Sequence, residues 1–232
     1  MQPPPPSILA VIPAFNEEQT ISQVVAQALI HLPVLVVDDG SRDATAARAM
    51  EAGAHCFQQI PNQGKGAALR AGFRWAINQG YSAVITLDAD GQHDPNEIPS
   101  FLAAYQCPAG QQPFDLIIGQ RSHQHMPFSR RLANTLGRRL FSWAVGQDIP
   151  DNQSGYRLVS QRLMEACLQS QETGFEFEVE QIVLCLKQGW RLGWLPIQTI
   201  YTGRGSHIQP IRHILGFIRA ALRARSVLKP AP

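Results

Sequence analysis

Little in this 232-residue sequence ties it to a special compartment or an unusual architecture. Its four cysteines, Cys56, Cys107, Cys167 and Cys185, form no CxxC pair and no Cys/His ligand spacing. That excludes the common zinc patterns and predicts the reduced thiols of a cytosolic protein. No run approaches the ~20 apolar residues that a membrane-spanning helix needs. The opening MQPPPPSILAVIPAF lacks the basic start and long apolar core of a secretory signal, and its prolines read as a short extended tail. Net charge is only +2, so no global field favours a nucleic-acid partner. There is no internal repeat and no low-complexity tract beyond the prolines. The expectation is a cytoplasmic protein, at most peripherally attached to the inner face of a membrane.

What is present is an ordinary globular composition, 44% apolar and 16% charged, with enough chain for one well-cored domain. Strand-like runs alternate with helical patterns through the first half. ILAVIP, VLVVDDG, HCFQQ, AVITLD and FDLIIG read as strands. Between them, Ile21, Val24, Val25, Ala28 and Leu29 recur at helical spacing, and GAALRAGFRWAINQG is a helix stopped by Gly80. Asn16 and Gln19 have the spacing of a capping box, and Ser41 is placed to cap RDATAARAMEAG. Strands separated by helices at this rhythm predict a mainly parallel sheet covered on both faces. Ligands of such sheets bind beyond the carboxyl ends of the strands, which here read PAFNE, DDGS, DADGQ and GQR. After Gly119 the pattern is less regular. A basic stretch RRLANTLGRRLFSWAVG is followed by DNQSGYRL, a helix around FEVEQIVLCLKQG and a strand-like LGWLPIQTIYT. The expected division is a catalytic domain over 7–205 and a basic amphipathic tail over 206–232. In that tail Ile211, Ile214, Ile218 and Leu222 form one stripe and Arg212, Arg219 and Arg223 another. Such a helix suits an anionic membrane, or packs its stripe on the domain.

Three acidic side chains, Asp88, Asp90 and Asp94, crowd the end of the apolar run in VITLDADGQHDPNEIP. Carboxylates repel one another and resist leaving water unless something positive compensates. At a strand-to-loop turn, an i, i+2 pair such as Asp88 and Asp90 can point at one centre and offer hard oxygens to Mg²⁺ or Mn²⁺. Asp-x-Asp alone is a weak signal, since aspartates also satisfy their own turns. Asp38 and Asp39 in VVDDGS either meet a ligand's ribose or base or serve turn amides. Lys65 in NQGKGAALRAG stands at a helix start, where the dipole disfavours a cation; a phosphate shared with the helix amides would explain it. The loop is not a Walker loop, because Gln59 stands where its first glycine should be and Gly66 follows the lysine. His123 and His125 at i, i+2 have no third ligand nearby and read as loop. Phe175 and Phe177 read as core in preference to a sugar-stacking platform.

Taken in order, VIPAFNEE, VVDDGSRDAT, NQGKGAALRAG and TLDADGQHDPNEI resemble the family-two inverting glycosyltransferases, nearest to the dolichyl- and polyprenyl-phosphate sugar transferases. The resemblance covers Ile8 to about Arg157, and Gly174 to His207 more loosely. It implies an α/β A-type nucleotide-sugar transferase fold with a single mixed, mainly parallel sheet. It also implies transfer of a sugar from a UDP- or GDP-linked donor to an acceptor such as a polyprenyl phosphate, with Mg²⁺ or Mn²⁺. Pro13, Phe15, Glu17, Val37 and Asp39 match nucleotide-holding positions. Asp88, Ala89 and Asp90 match the donor and metal segment, Gln92 a further metal contact, and Arg121 a phosphate-contacting arginine. Phe15 replaces a more usual tyrosine. GRGSH stands where GESK is frequent, so His207, with Arg204, would take over a lysine's phosphate contact. A lipid-phosphate acceptor is already anionic and would meet Arg121, Arg130 and Arg131. A hydroxyl acceptor would need a base, for which Asp151 and Glu180 are the candidates. Two other classes compete: a sugar nucleotidylyltransferase, against which the glycine-free IPAFNEE argues, and a non-catalytic nucleotide-sugar-binding regulator.

Overall fold

The structure, a computed structural model, describes residues 7–106, 111–121, 128–198, 200, 219 and 221–228, without the side chains of 128–134 and 136. In chain order the elements are β1 (Ile8–Ala14), α1 (Ile21–Leu29), β2 (Val34–Asp38), α2 (Thr45–Glu51), β3 (His55–Gln58), α3 (Lys65–Asn78) and β4 (Ala83–Thr86). A 3₁₀ turn (Pro95–Glu97) leads into α4 (Ile98–Tyr105). There follow β5 (Leu116–Arg121), α5 (Phe128–Val145), β6 (Arg157–Ser160), α6 (Gln161–Cys167), α7 (Glu176–Lys187) and β7 (Leu192–Ile197). The strands form one sheet in the order β3-β2-β1-β4-β6-β5-β7. β1 is parallel to β2 and β4, β2 to β3, and β5 to β7; β6 runs antiparallel between β4 and β5.

The period of two along the strands divides the core into two layers. Leu9, Val11, Leu35, Val37, Val84, Leu116, Ile118 and Val159 face the layer shared with α3, α6 and α7. Ile8, Ala10, Ile12, Val34, Val36, Ile85, Ile117 and Leu158 face the layer shared with α1 and α4. Burial on both faces explains the continuous apolar runs that announced β1, β2 and β4. β6 escaped the sequence reading: it is only four residues long and begins with a charged residue, Arg157.

Two expected helix caps are replaced by loop-to-loop bonds. α1 begins at Ile21 with no side-chain cap. Asn16 instead has φ +56°, and its side-chain oxygen accepts from the Arg42 amide at 2.9 Å. Ser41 does not cap α2; its hydroxyl donates to Asp38 and accepts from the Asn16 amide. Both residues thus tie the loop after β1 to the loop after β2, at the carboxyl edge of the sheet.

At the other end of the chain, the helical stretch over 221–228 buries Ala221 and Ala224 in the α3/α6/α7 layer, while Leu222 is exposed. Within this stretch the alanine pair packs and Leu222 does not; Ile211, Ile214 and Ile218 lie outside the described residues. Arg225 lies over the Trp143 ring of α5, 3.8 Å from its centroid. Among the described residues no helix is long and apolar enough to cross a membrane. Cys56, Cys167 and Cys185 are free thiols.

Candidate active site

The turn after β4 delivers Asp88 and Asp90 to the carboxyl edge between β1 and the antiparallel β6. Asp88 accepts from Lys65, with Nζ–Oδ1 2.6 Å, and the same ammonium reaches Glu178 Oε1 at 3.0 Å. Burial works against the charge on Lys65, but the carboxylates of Asp88 and Glu178 overcome it and raise its pKa. Burial likewise opposes the Asp88 charge, yet Lys65 holds that carboxyl down at about 2. Asp90 behaves oppositely. Burial and then the neighbouring Asp88 charge raise its pKa, and among the described residues its carboxylate accepts from its own turn, through the Gln92 amide at 2.9 Å and the Gln92 side chain at 2.6 Å. Two carboxylates thus share one corner, and among the described residues it is Asp88 that contacts the lysine directly.

His93 closes the back of this corner. Its Nδ1 accepts from the Asp88 amide at 3.0 Å, and its ring packs on Tyr156 with centroids 5.1 Å apart. Burial lowers its pKa, so a neutral imidazole with the proton on Nε2 suits the contact. On the other side Arg121, at the end of β5, makes a two-pronged pair with Asp151: Nε–Oδ2 2.8 Å and Nη2–Oδ1 3.0 Å. Burial disfavours both charges, but the hydrogen bond and attraction between them raise the arginine and lower the aspartate. Asp151 also accepts from the Gln153 and Ser154 amides.

Gly155 lets the loop before β6 approach this cluster. A Cβ on it would stand 2.8 Å from Asp88 Oδ1, 2.9 Å from Glu178 Oε1 and 2.9 Å from Lys65 Nζ. No side chain fits there without displacing the ion triad. Behind it lies the wholly buried Arg157, whose pKa burial lowers while the Glu178 and Asp151 charges work in the opposite direction.

Several expected roles change with this geometry. The amides at the start of α3 are already used: Gly66 and Ala67 donate to the Thr173 carbonyl. Lys65 is thus held by carboxylates, and the helix end does not offer an open anion nest. Asp39 receives the Gln63 amide at 2.8 Å and the Gly64 amide at 2.7 Å together with the Gln59 side chain, so it organises the loop before α3. Val37 is fully buried in the core, and only its main chain lies near the edge. Pro13 is its partner across β1 and β2, Phe15 is exposed just beyond β1, and Ala89 is buried between the two aspartates. Glu17 accepts from the Thr20 hydroxyl, and its carbonyl starts α1.

The two candidate bases are not placed as bases. Asp151 is locked to Arg121 with a lowered pKa, which weakens it as a proton acceptor. Glu180 accepts from Ser170 and lines the groove between α7 and the 221–228 stretch, with Glu176, Val183 and Lys187. It lies two residues, hence about 200°, around α7 from Glu178. Glu178 is the residue that sequence reading missed. It falls on the stripe Phe177, Glu178, Gln181, Ile182, Cys185, all buried, so helical phase carried the signal. Phe177 is core as expected, whereas Phe175 is exposed with Lys65 over its ring at 5.3 Å. His123, His125, Arg204, His207 and the side chains of Arg130 and Arg131 lie outside the described residues.

The corner fits a hard divalent cation brought in with its ligand. Asp88, Asp90 and Gln92 would supply the hard oxygens that such an ion prefers. Among the described residues no three His, Cys, Asp or Glu side chains could hold a metal by themselves.

A mixed sheet with acidic groups at the crevice beside its antiparallel strand defines the A-type fold of nucleotide-sugar transferases. Solved glucosyl-3-phosphoglycerate synthase from Mycobacterium tuberculosis superposes with a TM-score of 0.73 at 20% identity, over 97% of this chain and 82% of that one. Residues 9–166 match Glycosyl transferase family 2, and the chain belongs to that family of glycosyltransferases. An undecaprenyl-phosphate mannosyltransferase of Micrococcus luteus is 30% identical over 82% of each chain. A polyprenol monophosphomannose synthase of Mycolicibacterium smegmatis is 30% identical over 82% of this chain and 76% of its own.

Proposed function

We propose that the chain is a metal-dependent inverting transferase that moves a sugar from a nucleoside-diphosphate sugar to a polyprenyl phosphate. The observation that carries this reading is the unequal pair at the end of β4: Asp88 neutralised by Lys65, Asp90 left with a raised pKa. A dication bound there with a diphosphate would relieve Asp90 and stabilise the charge that develops on the leaving group. A related structure containing Mn²⁺ and UDP, and relatives named for polyprenyl-phosphate acceptors, support the same reading.

The chain's own residues have separable tasks. Asp88, Asp90 and Gln92 would hold the divalent cation and with it the donor's diphosphate. Lys65 holds the Asp88 carboxyl well below the usual carboxylate range, so Asp88 is ionised at neutral pH, and Asp151 holds the Arg121 guanidinium in place at the end of β5. In a single displacement the acceptor oxygen bonds to the anomeric carbon while the carbon–oxygen bond to the diphosphate breaks and its electron pair leaves with the diphosphate. Such a step needs no enzyme nucleophile, and configuration inverts. An anionic acceptor needs no base either. With Asp151 paired to Arg121 and Glu180 turned to Ser170, neither expected base serves a hydroxyl, which favours a phosphate acceptor.

The 221–228 stretch supports contact with a membrane that carries such an acceptor. Leu222 and Trp143 are exposed, and Arg223 and Arg225 lie close by. An amphipathic surface of that kind binds anionic bilayers.

The test is thermal stabilisation and product release across UDP- and GDP-sugars, with and without Mn²⁺, in the presence of a polyprenyl phosphate. A donor at 100 times its Kd should add about 2.7 kcal/mol, and only with metal. Release of nucleoside diphosphate with a glycosylated lipid phosphate supports the proposal. Release of pyrophosphate, or binding without turnover, overturns it.

A further inference from the structure

Arg157 is fully buried, yet none of its hydrogen bonds goes to a carboxylate. Nε donates to the Ser154 carbonyl at 2.7 Å and Nη2 to the Asn152 carbonyl at 3.3 Å, both in the loop before β6. Nη1 donates to the Glu178 carbonyl and to Gln181 Oε1, both on α7. One planar group therefore clasps two segments. The first carries Gly155, whose missing side chain makes room for the ion triad, and the second carries Glu178, a member of that triad.

The surroundings argue against a role in stability alone. Asn152 Nδ2, Ser154 Oγ and Gln181 Nε2 are buried without a hydrogen-bond partner among the described residues. Each belongs to a residue that gives an oxygen to Arg157. Leaving such atoms unpaired, or tying up bound water to satisfy them, is unfavourable, and replacing a buried charge by packed apolar groups is frequently neutral or stabilising. A buried guanidinium in a pocket of half-satisfied amides is a poor way to gain stability and a good way to fix the spacing of two backbones. The fork geometry suits this task in a way that a single ammonium does not.

We propose that Arg157 is a positioning residue of the transfer site: by bonding the loop before β6 and α7 together, it holds Glu178, and through Glu178 the Lys65 ammonium, against Asp88. The importance of that alignment for turnover rests on the transferase reading above, but the alignment itself is measurable without turnover. Lys65 is nearly enclosed and shared between two carboxylates, whereas Lys187 is exposed.

The experiment compares Arg157→Gln and Arg157→Lys with the wild type by competitive acylation of lysines read by mass spectrometry, using Lys187 as internal reference, alongside kcat and donor KM per folded molecule. In Arg157→Gln the acylation rate of Lys65 relative to Lys187 should rise at least tenfold, and kcat should fall about tenfold or more with donor KM within threefold. Arg157→Lys keeps the charge but not the fork. It should regain much of the lost melting temperature while Lys65 stays reactive and kcat stays low. Unchanged Lys65 reactivity in both variants would overturn the proposal, as would wild-type kcat in a stable Arg157→Lys. If Arg157→Gln does not fold, Arg157→Lys decides alone. If the wild type transfers no sugar, the functional reading fails by itself, and the Lys65 acylation ratio still decides whether Arg157 holds the triad.

Discussion

Two carboxylate sites lie at opposite ends of the strands, the buried Asp115 and the half-buried pair Asp88 and Asp90, and they are finished differently. At the amino end of β5, Asp115 accepts from the Ser160 hydroxyl at 2.9 Å, the Arg191 amide at 3.1 Å and both Arg162 nitrogens. Each oxygen is served and the arginine is stacked on Trp190. At the carboxyl edge, about 20 Å away along β5, Asp88 has its lysine, whereas among the described residues Asp90 is bonded by its own turn. The first site is complete within the chain, as a structural clamp should be. At the second, burial and the neighbouring Asp88 charge hold the Asp90 pKa above its ordinary value. The structural ion pair is satisfied by its own arginine, whereas the Asp88/Asp90 corner sets two neighbouring carboxylates against one lysine.

The sharpest break of this contrast is Asp90→Ala. Removing a carboxylate that meets a dication in the transition state should lower kcat about 10³-fold, since one unit-charge contact at ~4 Å and an effective dielectric near 20 is worth ~4 kcal/mol. Circular dichroism and melting temperature should show an intact fold; near-wild-type turnover would remove the metal role. Next in size is Gly155→Ala. The added methyl must push Asp88, Lys65 or Glu178 aside, so we expect a loss of about 10–100-fold in kcat and of ~1–3 kcal/mol in stability from overpacking. Enzyme assay and denaturant titration measure the two together. Loss of stability with unchanged kcat would show that the triad is not needed for transfer.

The contrast also explains what was legible in the sequence. β1, β2 and β4 were readable because double burial makes continuous apolar runs, and α1 and α3 because one face repeats at helical spacing. β6 was not, since Arg157 and the polar DNQSG before it look like loop; tertiary placement of a charged residue overrode local pattern. At the site, Asp88, Asp90, Gln92, Lys65 and Arg121 were nameable, and the structure gathers them at one edge. Their partners were not. Whether Lys65 faces a phosphate or a carboxylate, and whether Glu178 or Glu180 faces Lys65, depends on how α7 is rotated against α3. Asp39 shows the same limit: a carboxylate after a strand could meet a ligand or serve turn amides, and only the folded chain shows that three donors from the loop before α3 reach it.

A milder pair of changes sharpens the comparison from the structural side and then from the functional side. Arg162→Ala strips Asp115 of its cation and should cost ~1–3 kcal/mol of stability, with kcat per folded molecule unchanged within twofold. A loss of activity beyond the loss of folded protein would mean that the two edges are coupled. The smallest effect should have the opposite sign. Asp90 has a raised folded pKa, so its neutral form favours the fold below the unfolded carboxylate pKa, and that advantage disappears as pH rises through the folded value. At neutral pH the metal-free fold therefore carries an unfavourable charge. Asp90→Asn removes it and should raise the metal-free melting temperature by no more than about 3 °C, while abolishing the stabilisation that Mn²⁺ with donor gives the wild type. Asp88→Asn should do the reverse: its folded pKa of about 2 lies below the ordinary carboxylate value, so it contributes stability above about pH 4 that is lost toward pH 2, and the substitution also leaves Lys65 short of a partner. Calorimetry of the two variants at pH 7, with and without Mn²⁺ and donor, decides the matter. If both substitutions shift the metal-free melting temperature in the same direction, the division of labour between the two aspartates is wrong.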